Sequence, residues 1–249
     1  MVTRNRVHLA RRALACLKDQ HWDNKELIIV DDGDADYTAL VNHYGACFPI
    51  HYHRLRDNQG QTLGALRNLC LELAQGDYCI QWDDDEWYHP QRISIQMQAL
   101  LQHQADATVL RSTLMHLDDA SMVNRPYRTQ LKRGTPGTIL HRRTHLRYPA
   151  MRRHEDTRFL RAIANEGKVH CIDDHAHLFI RCFHGSNTWH RKHFYERLHR
   201  GLKNRWHYLN ARYRHRDLFS HPSFQLSAQE EQAAEQFLIM SRELNLLSS

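Results

Sequence analysis

The chain lacks any apolar run long enough to span a bilayer, and its cysteines form no C-x-x-C pair. The first absence leaves no candidate for a membrane-crossing helix. The second removes the common redox and zinc-ribbon signatures. Cys16, Cys47, Cys70, Cys79, Cys171 and Cys182 sit mostly in apolar runs, so they read as buried free thiols in a reducing compartment. Met1 to Arg6 leads straight into an amphipathic pattern with none of the apolar core of a signal peptide. The expected compartment is the cytoplasm, with peripheral membrane contact left open. Internal repeats and low-complexity segments are absent too. Acid is scarce in one place: Glu196 is the only carboxylate in 191–216.

What is present suits one globular domain with a long tail, or one domain plus a small appendage. The 249 residues are 41% hydrophobic and 25% charged, enough to bury a sizeable core. The net charge of +6 favours anionic partners: a phosphorylated substrate, nucleic acid or an acidic membrane face. The same charge also serves solubility alone. Histidine is abundant, at 21, and forms two H-x-H pairs, His51/His53 and His175/His177. A strand would put each pair on one face, as in some zinc sites, but no further ligands follow at recognisable spacing. These histidines read as surface or rim residues.

Strands and helices alternate along the first half. Leu9, Ala10, Ala13, Leu14 and Leu17 predict an amphipathic helix over 8–20. The run Glu26 to Val30 is a buried strand closed by Asp31-Asp32-Gly33. A helix over 36–45, a strand over 49–55, a loop at 57–60 and a helix over 61–74 follow. The strand 78–82 runs directly into Asp83-Asp84-Asp85, and Pro90 opens a helix over 91–103. Such alternation predicts an α/β fold with a mostly parallel sheet, whose ligands bind at the carboxyl ends of strands. Both acidic clusters lie at such ends and are expected to face one crevice. Beyond 105 the pattern loosens. Strands are expected at 107–110, 138–140, 168–172 and 177–183, with an irregular connection around Pro126, Gly134, Pro136 and Gly137. A helix is expected over 155–166, a basic and aromatic helical stretch over 191–216, and an amphipathic helix over 227–247.

Adjacent carboxylates at a strand end repel one another unless a cation sits between them. The run Asp83-Asp84-Asp85-Glu86 therefore asks for a metal or a strongly cationic partner. Oxygen ligands suit Mg²⁺ or Mn²⁺, which keep waters and bridge to phosphate oxygens. An acidic turn in water accounts equally for a lone D-x-D. Here the acids follow an apolar strand and precede Trp87-Tyr88-His89-Pro90.

The segments VTRNR, ELIIVDDGD, QWDDDEWYHPQR and RRHEDTRF occur in the order and rough spacing of family 2 glycosyltransferases. The resemblance covers about residues 1–190 and implies the GT-A fold: a Rossmann-like mixed sheet flanked by helices. Residues 191–249 then form a helical, basic C-terminal extension. The family's first strand normally has several apolar residues before the position of Met1. The resemblance thus implies a first strand truncated at the N-terminus, with its beginning upstream.

The resemblance also implies roles. Thr3 and Asp32 would lie against the nucleotide base, with Arg67 near the nucleotide. Asp84 would stand near the ribose. Asp83 would be the first acid of the D-x-D, at the nucleotide and the metal, and Asp85 would hold the metal. Glu86 stands where many relatives have a further aspartate. His184, in CFHGSNTW, would be a further metal ligand, and Asn187 and Trp189 would line the acceptor side. Asp156 would be the catalytic base and Glu155 would help position the acceptor. The implied activity is inverting transfer of a sugar from a nucleotide-diphosphate donor, a UDP-sugar by family frequency, to a saccharide or lipid-linked acceptor. The implied cofactor is Mn²⁺ or Mg²⁺. Read without the family, Glu155 and Asp156 are two acids in the first turn of a helix, favoured there by its dipole. The segment 191–216 carries competing readings: nucleic-acid binding, docking on an anionic membrane, or a solvated helix face.

Overall fold

A computed structural model describes residues 1–55, 60–118, 122, 124–185, 191–199 and 201–247. A parallel trio opens the fold: β1 (Val2–Thr3), β2 (Leu27–Asp31) and β3 (Ile50–Arg54), in the order β1-β2-β3. Helix α1 (Val7–Lys18) turns its buried face of Leu9, Ala10, Ala13, Leu14 and Leu17 to the core, at the 3.6-residue period predicted. All of β2 is buried, which explains why it reads as an unbroken apolar run. Helix α2 (Thr38–Gly45) joins β2 to β3, and α3 (Leu63–Leu73) leads to β4 (Tyr78–Ile80).

The remaining strands form two mixed groups. One has the order β10-β6-β9-β4, with β6 (Ala107–Leu110), β9 (Leu140–Arg142) and β10 (Val169–Ile172). The other has the order β5-β11-β7-β8, with β5 (Trp87–Tyr88), β7 (Ser112–Leu117), β8 (Tyr127–Gln130) and β11 (Phe179–Phe183). The sheet is less parallel than the alternation predicts: β4–β9, β6–β9, β5–β11 and β7–β8 are antiparallel. The irregular connection after 110 holds two strands, β7 and β8. All six residues of β7 are buried although three of them, Ser112, Thr113 and His116, are polar. Period-2 reading therefore fails on it. Residues 136–138 and 176–178 form 3-10 turns where strand starts are expected.

Helix α4 (Arg92–Gln102) covers the sheet, and α5 (Glu155–Glu166) follows the loop 143–154. The helices α6 (Arg191–His199), α7 (Leu202–Leu209) and α8 (Ala228–Glu243) complete the chain. Helix α8 starts with a capping box made by Ser227 and Glu230. It packs into the main core: Phe237 is fully buried, edge-on to Trp87 at 6.4 Å and to His116 at 4.9 Å. Among the described residues, no helix is long and apolar enough to cross a membrane.

Candidate functional site

A cleft of about 2000 Å³ opens over the carboxyl ends of β1, β2 and β4 and runs to the start of α5. Thr3, Asp32, Arg67, Asp83, Asp84, Asp85, Glu155 and Asp156 all line it. The structure thus gathers acids from sequence positions 32, 83–85 and 155–156 around one space. Asp31 points elsewhere: its side chain accepts from the Gly33 amide at 2.9 Å and from the Tyr52 hydroxyl at 2.7 Å. The two acids after β2 therefore split, one bracing the turn and one facing the cleft.

That turn is tight. The Asn5 side-chain oxygen accepts from the amides of Asp34 and Ala35 at 2.8 and 2.9 Å. A Cβ on Gly33 would stand 2.5 Å from that oxygen, so glycine is required for the approach. Asp32 is buried, and its nearest cation is Arg4, at 3.7 Å. One of its carboxylate oxygens, Oδ1, is buried with no hydrogen-bond partner among the described residues. A native structure rarely leaves such an acceptor unmatched; a ligand or an ordered water supplies the donor.

The acidic run is held by cations and hydroxyls, each acid differently. Asp84 is the most buried. Thr3 Oγ1 donates to its Oδ2 at 2.6 Å, and the Tyr37 hydroxyl backs Thr3 at 2.6 Å. Burial, and then the neighbouring Asp85, push the Asp84 carboxyl up to about 7 despite Arg6 at 3.4 Å. Asp85 goes the other way. Burial opposes its charge, but the hydrogen bond from His184 Nε2 at 3.1 Å and the Arg6 guanidinium at 3.1 Å outweigh burial and hold it below the ordinary carboxylate range. Arg12 donates to the Asp85 carbonyl at 2.6 Å and to Ser241 Oγ at 3.1 Å, which ties the acidic turn to α8. Asp83 accepts from Arg67 Nη2 and from Gln81 Nε2, both at 2.9 Å. Glu86 turns inward, accepting from the Cys182 amide at 2.6 Å, with Arg181 at 3.8 Å.

Arg67 links the two ends of the site. Its Nε lies 3.3 Å from Glu155 Oε1 while its Nη2 holds Asp83. Helix α3 comes this close to the loop before α5 because of Gly64, whose amide donates to the Met151 carbonyl at 3.1 Å. A Cβ there would stand 1.9 Å from the Pro149 carbonyl oxygen. Burial raises Glu155 to about 7, with Arg67 opposing and Asp156 adding to the shift. Asp156 is half-buried, and its Oδ1 accepts from the Thr157 amide at 2.5 Å. His154, just before them, has φ 65°, a left-handed turn that swings the chain into α5.

The sequence model of glycosyl transferase family 2 matches residues 1–184. The chain belongs to this family. Among curated family relatives, one from Escherichia coli K12, named as a colanic acid biosynthesis glycosyl transferase (WcaA), is 34% identical over 95 residues, 38% of this chain and 34% of that protein. One from Bacillus subtilis 168, named as glycosyltransferase EpsH, is 38% identical over 88 residues, 32% of this chain and 23% of that protein. The matched stretch thus spans about a third or less of these relatives. The solved structure of Staphylococcus aureus TarS 1–349 in complex with UDP superposes with TM-score 0.60 at 19% identity, over 97% of this chain and 70% of that one. The mannosyltransferase PcManGT of Pyrobaculum calidifontis, in complex with GDP-Man and Mn²⁺, gives TM-score 0.57 at 15% identity, over 97% and 73%. These likenesses show the fold, which is GT-A as expected.

For a family 2 chain, the sequence leaves several side chains at the site unread. Arg6, Arg12, Tyr37, Gln81 and Arg181 all brace the acids; Arg6 and Gln81 sit inside the segments VTRNR and QWDDDEWYHPQR without a role read for them, and the other three have no motif around them. Only the three-dimensional fold brings them in. Asn187 and Trp189 lie outside the described residues. The H-x-H pairs divide: His51 stands 3.3 Å from Glu26, and His177 is buried against His89. Among the described residues, no three His, Cys, Asp or Glu side chains converge as metal ligands.

Proposed function

We propose that the protein is an inverting glycosyltransferase that moves a sugar from a nucleotide-diphosphate donor to an acceptor hydroxyl. One observation carries the reading: Asp32, whose buried Oδ1 has no hydrogen-bond partner among the described residues, lines the same cleft as Glu155 and Asp156. A nucleobase N–H would supply the missing donor. Thr3 then lies beside the base, Asp84 beside the ribose and Asp83 beside the diphosphate. UDP is the expected nucleotide, since TarS is solved with UDP and family frequency favours it; PcManGT, with GDP-Man, keeps GDP as the second candidate.

The donor set at Asp85 and His184 suits Mn²⁺ or Mg²⁺: a carboxylate kept ionised, and an imidazole 3.1 Å from it. Arg6 lies against the same Asp85 oxygen and would have to give way. Bound there, the metal would neutralise charge on the departing diphosphate. Asp83 stands on the donor side, oriented by Arg67 and Gln81.

On the acceptor side, Asp156 is the base. It takes the proton from the acceptor hydroxyl as that oxygen attacks the anomeric carbon, and a single displacement inverts the configuration. Glu155 positions the acceptor, and Arg67 couples it to the donor-side Asp83. The rim at this end carries Lys132, Arg133, Arg152 and Arg161, exposed and without ion pairs among the described residues. That rim favours an acceptor bearing negative charge, such as a lipid-linked saccharide diphosphate.

The deciding experiment is a thermal-shift panel of UDP- and GDP-sugars with and without Mn²⁺. A shift that needs Mn²⁺ and vanishes in Asp85→Ala supports the reading. Nucleotide-sugar affinity indifferent to both would overturn it.

A further inference from the structure

Helix α7 and the turn that continues it, 210–214, form one helical run whose two faces differ sharply. Leu202, Trp206, Leu209 and Tyr213 are 90, 60, 45 and 70% exposed, four of the seven exposed large hydrophobic side chains among the described residues. They recur at i, i+4, i+7 and i+11, which places them within roughly 60° of one another on the helix surface. Chance scatter of surface apolar residues does not produce such a stripe. The opposite face turns inward: Ala211 is buried, Tyr208 packs beside the core residues Leu198 and Met115, and Asn204 and His207 line the cleft.

The apolar stripe is flanked by cations. Arg205 and Arg212 lie along one edge, both exposed, and Arg214 and Arg216 follow at the end of the run. The sequence from 197 to 216 contains no acid. A protein partner with an apolar groove would leave those cations without complement unless its rim were acidic. A nucleic acid would match the cations and Trp206 but has no use for Leu202 and Leu209. A bilayer containing anionic lipid matches both features at once. Its acyl boundary accepts Leu and Trp side chains and its headgroups accept Arg.

We propose that α7 and residues 210–214 are an in-plane membrane anchor that docks this protein on an anionic lipid surface through Leu202, Trp206, Leu209 and Tyr213. The helix has the cleft on one side and the bilayer on the other. Docking therefore holds the cleft at the headgroup level, where a lipid-linked saccharide presents its sugar. The anchor stands on its own geometry. The acceptor statement rests on the proposed transferase activity, and vesicle binding tests the anchor separately.

The test is flotation of the full chain with vesicles of phosphatidylcholine alone and of phosphatidylcholine with phosphatidylglycerol, at low and high salt. The chain should float with the anionic vesicles and much less with the neutral ones. Leu202→Glu with Trp206→Glu should lower the bound fraction by about tenfold or more. Arg205→Gln with Arg212→Gln should lower it by about fivefold per charge, on anionic vesicles only. The fluorescence of Trp206 should shift to the blue on binding, and Trp206→Phe should remove that shift. All these side chains are exposed, so unchanged thermal midpoints confirm that the variants fold. Three results overturn the proposal: no flotation with either lipid, flotation unaffected by the double Glu variant, or no flotation together with salt-sensitive RNA binding or with self-association that the double Glu variant dissolves.

Discussion

The cleft floor and helix α7 handle charge in opposite ways. On the floor, Asp83, Asp84, Asp85 and Glu155 each have an arginine within reach: Arg67, Arg6, Arg6 again, and Arg67 again, with His184 also hydrogen-bonded to Asp85. These partners come from α3, from the loop after β1 and from the end of β11, so distant parts of the fold converge on the acids. Along α7 the arginines stand in solvent beside exposed apolar side chains. The floor is a closely paired charge network whose open position is Asp32 Oδ1, which has no partner among the described residues. The helix lacks complement in both charge and apolar contact, which is the signature of a surface that meets something extended. A substitution on the floor should therefore alter chemistry or stability strongly, and one in the exposed stripe of α7 should alter neither in free solution.

The largest expected effect is chemical. Asp156→Asn removes the proposed base while keeping size and the contact to Thr157. Transfer should fall by about 10²–10⁴-fold in kcat. The donor KM should stay within about twofold, because Asp156 does not touch the donor in this reading. Steady-state kinetics with saturating acceptor separates the two. A donor KM that rises with the loss of kcat would move Asp156 to the nucleotide side.

Next comes the core that carries the floor. Phe237 is fully buried against Trp87, which follows the acidic turn, and Arg12 ties the Asp85 carbonyl to Ser241 on the same helix. Phe237→Ala should cost about 3–5 kcal/mol. The thermal midpoint should drop by about 6–20 °C, read by calorimetry or circular dichroism. A drop under a degree would mean that α8 is a detachable appendage rather than a wall of the core.

The third effect depends on pH. Glu155 has its folded pKa raised from 4.5 to about 7, chiefly by burial. The folded state therefore keeps a proton between these values that the unfolded state has released. The Glu155 contribution to stability is most favourable below pH 4.5, declines as pH rises, and bears the full cost of the buried charge above 7. Glu155→Gln abolishes that decline. The variant should gain on the wild type by up to about 3 kcal/mol at pH 8 and by nothing near pH 4. Urea titrations at the two pH values measure the difference, and a gain of equal size at both would place the cause in packing rather than in charge.

The same contrast explains what the sequence discloses. The first 110 residues alternate cleanly, and helices α1 to α4 and strands β2, β3, β4 and β6 lie within a few residues of their predicted places. Their apolar residues recur at periods that backbone geometry imposes. Strand β7 escaped because its buried face mixes Ser112, Thr113 and His116 with leucines, so no period shows. The acids of the site were legible because charge repulsion makes an acidic run at a strand end costly, hence conspicuous. Their cations were not. Arg6 looks like any surface arginine in the sequence, and Arg67 shows its place near the nucleotide only through the family resemblance; its bridge from Asp83 to Glu155 depends on Gly64, which lets α3 approach the loop before α5. The stripe on α7 was half legible: the basic and aromatic composition is plain in the sequence, but its exposure required knowing which face Ala211 and Tyr208 bury.

The smallest expected effect is the most discriminating between floor and helix. Leu209 and Tyr213 are hydrophobic, and substitution of a hydrophobic side chain usually destabilises a protein. Here their side chains stand largely in water, so removal opens no cavity and strands no polar partner. Leu209→Gln and Tyr213→Ser should each shift stability by less than about 0.5 kcal/mol in free solution. A loss near 2 kcal/mol would mean that the stripe is covered by the protein itself in solution. An unchanged midpoint leaves its apolar area without any role in folding, which is what a stripe that meets an external surface requires.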